Sequence, residues 1–174
     1  MAASKEEPNR TVEDKTEDLQ KTVDHVVRTW KLVNKDASKH GIVFYKRLFT
    51  THPEVIKLFS FSSEVTEQME DSPGLQTQAN LLMSMIDYAV SQLGNLPELV
   101  PRLQELGARH FVQYSIEPEY LKPVGECLLW TLKQGLGELF TPEVEMAWTS
   151  IYKIIADTMI EGGKEELGNA SARE

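Results

Sequence analysis

The sequence holds a single cysteine, Cys127, which excludes any disulfide within the chain and points to a reducing compartment. No stretch approaches the roughly 18 apolar residues that a membrane-spanning helix needs. The opening Met1-Ala2-Ala3-Ser4-Lys5-Glu6-Glu7-Pro8 lacks the apolar core of a secretory signal and the second-position glycine used in myristoylation. Basic residues are in deficit, 18 Lys and Arg against 27 Asp and Glu, for a formal net charge of −9. That balance offers no clustered cations for nucleic acid or an anionic membrane surface. Nor does any segment alternate apolar and polar residues with β-branched enrichment, so a sheet-based fold is excluded. These absences lead to a cytoplasmic protein with no membrane span and no nucleic-acid partner.

What is present is a helical period. The length of 174 residues suits one domain with a sizeable core. Leu19, Val23, Val26, Val27, Trp30 and Val33 recur at three- and four-residue steps and make one apolar face. Ile42, Tyr45, Leu48 and Phe49 continue the pattern until Pro53, and His52 sits where the α conformation is disfavoured before proline. Asp71-Ser72-Pro73 is a start signal with the proline placed for a first helical turn. It opens a segment with Leu75, Leu81, Leu82, Met85, Ile86, Ala89, Val90 and Leu93. Pro97 starts a shorter segment through Leu103 and Leu106, and Pro118 another through Leu121, Val124, Cys127 and Leu128. Thr141 is placed to cap the last, which carries Trp148, Ile151, Ile155 and Met159. The expectation is an all-α fold of seven to eight helices. Residues 1–16 and 164–174 are polar and poor in large side chains, so they read as a mobile extension and a flexible tail around a folded part at 17–163.

One histidine stands out. His110 follows Leu106 by four residues, so the two share a helix face one turn apart. A lone histidine on such a face is usually a hydrogen-bonded structural residue, and an isolated Phe59 is usually simple core. Their surroundings change the reading. Arg47-Leu48-Phe49-Thr50-Thr51-His52-Pro53-Glu54, then Lys57-Leu58-Phe59, resembles the second and third helices of animal globins. Leu106-Gly107-Ala108-Arg109-His110 resembles the globin segment that carries the histidine ligand to haem iron. The run from Ile116 to Cys127 is similar to the start of the seventh helix, and Trp30 and Phe140-Thr141-Pro142 fit as well.

The resemblance covers nearly the whole folded part and is nearest to neuroglobin-like intracellular animal globins. It implies the globin fold, a three-over-three helical sandwich, around haem b. It also implies His110 as the metal ligand, Phe59 stacked on the haem, and Leu82, Leu106, Ile116, Leu121 and Val124 as pocket walls. Arg109 is a candidate partner for a haem propionate, and Tyr114 a cover for that edge. Leu81 stands where a basic propionate partner is often found. Cys127 reads as inert core.

On the opposite face this sequence departs from the family. No histidine occurs between Asp71 and Ala108. An ungapped alignment puts Gln78 at the distal position, with Gln76 and Asn80 as polar alternatives nearby. Tyr45 occupies a second-helix position where Leu or Phe is common, although it could also be a core aromatic. A phenol and an amide are both donors, suited to polarised O2. With the other histidines on the first two helices, bis-histidine ligation is not expected, and a five-coordinate ferrous haem is. The implied function is reversible, high-affinity O2 binding through Tyr45 and Gln78, and other diatomic gases are further ligands. The alternatives are conversion of nitric oxide to nitrate, which needs an external reductase because the chain has no room for a flavin domain, and haem-based sensing.

Overall fold

The computed structural model describes residues 11–65 and 68–172. Six α-helices account for most of the chain: α1 (Val12–Val33), α2 (Ala37–Thr51), α3 (Pro73–Ser91), α4 (Leu96–Ala108), α5 (Leu121–Leu136) and α6 (Pro142–Ser171). The expected seven to eight helices are therefore six, because the segment opened by Pro53 is a 3-10 helix, Pro53–Leu58. Among the described residues there is no strand.

Both ends of the fold reach further than the apolar pattern foresaw. Thr11 caps α1 with a capping box: its hydroxyl accepts from the Asp14 N–H at 3.2 Å, and the Asp14 carboxylate accepts from the Thr11 N–H at 3.0 Å. Helix therefore begins at Val12, inside the stretch read as a mobile extension, with residues 1–10 outside the described part. At the other end α6 runs to Ser171, through the stretch read as a flexible tail. Gly162 and Gly163 are buried there, so tertiary packing outweighs their poor helix propensity.

The helices are pinned by tryptophans. Trp30 on α1 donates to Asp87 on α3 at 2.7 Å, and Trp148 on α6 donates to the Thr29 hydroxyl on α1 at 2.9 Å. The two indoles pack with centroids 5.9 Å apart. Each polar edge is satisfied where the ring is buried, which avoids the cost of an orphaned donor.

The apolar interior is not one body. A large cluster draws on α1, α2, α3, α5 and α6, and includes Val26, Phe44, Leu48, Leu75, Leu132 and Trp148. A smaller one holds Ala89, Leu99, Leu103 and Met159, where α4 lies on α6. Leu93 and Ile155 are the residues that pack against both. A domain of this size ordinarily has one contiguous core, so a division between α4 and the rest is a feature to explain.

Candidate haem site

The division has a wall on each side. Phe59, Leu82, Ile86 and Val124 are half-buried and pack against the large cluster, whereas Leu106 and Leu121 are half-buried against the small one. Of the residues expected to line the pocket, Phe59, Leu82 and Val124 thus pack on the large cluster and Leu106 and Leu121 on the small one. Leu121 and Val124 are fixed by Tyr152, whose hydroxyl donates to the Leu121 carbonyl at 2.5 Å and whose ring lies where a side chain on Gly125 would be.

His110 sits where α4 ends. The backbone widens there into a π-helical turn, Arg109–Gln113, a form that recurs at functional sites. The turn closes with the Tyr114 N–H on the Arg109 carbonyl at 3.1 Å. Ser115, at φ 52°, adopts the left-handed conformation, and the Ile116 N–H bonds back to the His110 carbonyl at 3.0 Å. The imidazole Nδ1 lies 2.8 Å from the Leu106 carbonyl. A carbonyl only accepts, so Nδ1 carries the proton, and in the neutral ring Nε2 keeps its lone pair. That is the form in which an imidazole binds a metal, oriented by a backbone acceptor.

On the other wall, α2 and α3 cross at Gly41 and Ala79. A side chain on Gly41 would come within 2.9 Å of the Ala79 carbonyl, so only glycine permits this approach. The crossing brings Tyr45, one turn beyond Gly41, near Gln78, next to Ala79, close enough for the amide to act on the phenol. Tyr45 is 4% exposed and enclosed by aromatic rings, with Phe44, Phe49 and Phe59 at centroid distances of 5.0, 5.6 and 5.6 Å. The alternatives to Gln78 are engaged elsewhere and exposed. Gln76 donates to the Glu70 carbonyl at 2.9 Å, and Asn80 accepts from Ser38 at 2.8 Å.

Burial pushes the Tyr45 phenol up to about 12, against the hydrogen bond with Gln78, which pulls it down. Burial also raises the Tyr152 phenol. A raised phenol stabilises the fold fully below the ordinary value of 10, and that contribution is lost as pH rises towards 12. For Tyr45 the loss amounts to about 3 kcal/mol. We expect alkaline unfolding between pH 10 and 12, with phenolate absorbance and loss of helical circular dichroism rising together. Ionisation of every tyrosine well below the unfolding transition would contradict this assignment.

Three expected contacts fall elsewhere. Arg109 is held by Glu105 at 2.8 Å along its own helix, so its charge already has a partner. Ile116 faces away from the divided core, into a groove with Phe111, Ile160, Gly163 and Leu167. Tyr114 is exposed, its ring edge-on to His110 at 6.0 Å. Leu81 is exposed as well. The other three histidines are committed: His25 lies 3.3 Å from Arg28, His40 packs on Gly135, and His52 is 3.4 Å from Glu54. Among the described residues no group of three His, Cys, Asp or Glu is gathered to hold a metal, so His110 offers a single protein donor.

The residues fit a flat apolar cofactor whose iron takes one protein ligand, because the core is divided and one correctly polarised imidazole stands at the division. The comparisons agree. The globin family profile matches residues 42–159, and the chain belongs to the globin family of haem-binding proteins. It is similar to neuroglobin of Chaenocephalus aceratus, at 32% identity over 136 residues, and to neuroglobin of Danio rerio, at 33%. Each alignment spans 77% of this chain and 85% of the relative. An anaerobic nitrite reductase of Physcomitrium patens is 29% identical over 135 residues, 76% of this chain and 74% of that one. Among solved structures, a hexacoordinated heme protein from an anhydrobiotic tardigrade superposes with a TM-score of 0.72 at 20% identity. The match covers 91% of this chain and 99% of that one, and it shows a shared fold. Family membership implies haem b as the cofactor. Among the described residues no helix is long and apolar enough to cross a membrane.

Proposed function

We propose that this globin binds O2 reversibly at a ferrous haem ligated by His110, with Tyr45 and Gln78 as the distal donors. The observation that carries the proposal is a buried phenol, Tyr45, enclosed by aromatic rings and near the Gln78 amide at the α2–α3 crossing. When bound, haem supplies an iron that takes a diatomic gas and shifts electron density onto it. Everything else falls to the chain. Phe59, Leu82 and Val124 exclude water, His110 is aimed by Leu106, and the phenol and amide offer protons to a polarised ligand. Burial raises the Tyr45 phenol, which favours its protonated, donating form. With His25, His40 and His52 committed elsewhere, the ferrous iron is five-coordinate. The helix pairings fit the three-over-three sandwich, and the single cysteine, buried at Cys127, fits a cytoplasmic setting.

Each donor contributes about 1–2 kcal/mol to a retained ligand. Tyr45→Phe is therefore expected to speed O2 dissociation roughly five- to thirtyfold in stopped-flow measurements. An unchanged rate would mean that the phenol does not reach the gas. The same donors would serve the conversion of nitric oxide to nitrate by bound O2. Turnover would then depend on an external reductase to return the iron to the ferrous form, and nitrate formed from nitric oxide when one is added would favour that reading.

A further inference from the structure

Three glycines close the contact between α4 with its π turn and α6, and they differ in what they press against. A side chain on Gly107 would land on the Met159 backbone carbonyl, and one on Gly162 on the Gln104 backbone. Neither neighbour can yield without moving a helix. A side chain on Gly163 would instead meet the ring of Phe111, at Cδ2, with Cβ and Cγ each at 3.2 Å. Phe111 is the residue after His110, inside the π turn. Beside it lies a groove of about 260 Å³, lined in part by Ile116, Ile160 and Leu167, into which the ring can move.

We propose that Gly163 is a positioning residue for His110: by letting Phe111 seat closely against α6, it sets the rotation of the π turn and so the aim of the imidazole. Consecutive residues of a helical turn rotate as a unit, so a ring pushed off α6 turns His110 about the same axis. The turn has few other anchors. His110 is held by the Leu106 carbonyl on one side and by the Ile116 N–H on the other, and none of the residues Arg109–Gln113 is fully buried. The contact can thus be retuned by one methyl group, whereas the Gly107 and Gly162 contacts can only be kept or broken.

The inference rests on haem ligation by His110, and the test separates the two. The haem-loaded full chain is compared with Gly163→Ala, Phe111→Leu and the double variant. The readouts are the iron–histidine stretching band of the ferrous form and the rate of haem transfer to an acceptor protein. We expect Gly163→Ala to shift the band and to speed haem loss roughly two- to thirtyfold. Phe111→Leu alone, which removes the ring without crowding α6, should also shift the band. The double variant should return it towards the wild-type position, since a smaller side chain makes room for the added methyl. Gly168→Ala, where nothing lies within 4 Å of the added carbon, should leave the band in place. A wild-type chain without a Soret band would remove the underlying haem assignment. A haem-loaded wild type whose band is unmoved in both single variants, whatever their melting temperatures, would overturn the positioning role.

Discussion

His110→Ala is expected to give a chain that keeps its helices and loses its haem. The Soret band should fall to background after gel filtration, and His110→Gly should regain it when imidazole is added. Haem affinity should drop at least about a hundredfold, beyond what loss of an orienting partner alone produces. The reasoning is local. The Leu106 carbonyl fixes which nitrogen of His110 carries the proton, and among the described residues no group of three His, Cys, Asp or Glu is gathered to hold a metal. A His110→Ala protein with an unaltered ferrous spectrum would mean that another residue holds the iron. Helicity should change little, because the ring is half-buried and its hydrogen bond lies within its own helix.

Gly107→Ala is expected to be the most damaging single-methyl change in the protein. The new carbon would overlap the Met159 carbonyl, a backbone atom of α6, so relief requires α4 and α6 to part. Parting them opens the small cluster of Ala89, Leu99, Leu103 and Met159. A cost above about 4 kcal/mol follows, in the range reserved for broken cores. Against a total stability of about 5–15 kcal/mol, that removes between about a quarter and most of what holds the chain folded. Denaturant titration of Gly107→Ala beside Gly168→Ala measures the difference. Gly168→Ala should be neutral or slightly stabilising because alanine favours helix. Equal midpoints for the two variants would mean that the helices separate freely.

How much of this was written in the sequence depends on the kind of interaction. Apolar period marked the helices well, since it records which face is buried, and Ser72-Pro73 and Thr141-Pro142 start α3 and α6 as their chemistry dictates. Period fails where burial is not the cause. Val12–Lys21 is helical and exposed, started by the Thr11–Asp14 capping box, and an apolar count cannot see that. Gly162-Gly163 are poor helix formers at the border of the stretch read as a tail for its polar composition. Paired in space with Gln104 and Phe111, the same two residues mark a close helix crossing instead. The partner of Gly162 lies far away in sequence, so nothing local announces it.

The site was legible to the same extent. His110, Phe59, Tyr45 and Gln78 follow from residue order matched to a family pattern, and the α2–α3 crossing leaves the Gln78 amide close enough to act on the Tyr45 phenol. Arg109 was placed by adjacency to His110 and Ile116 by the family pattern. Arg109 pairs with Glu105 one turn back, and Ile116 lines a groove with residues of α6. Gly41 and Tyr152, which hold the two walls at their spacing, touch no cofactor and so carried no motif.

The divided core has a consequence for how such a chain is kept in a cell. Its two apolar bodies meet through Leu93 and Ile155 and are tied by the close seating of α4 on α6. A cofactor that binds only the folded form adds its binding free energy to the stability of that form. The amount of intact protein is then expected to follow the supply of haem as well as the rate of synthesis, and a chain made in excess of that supply to be cleared sooner.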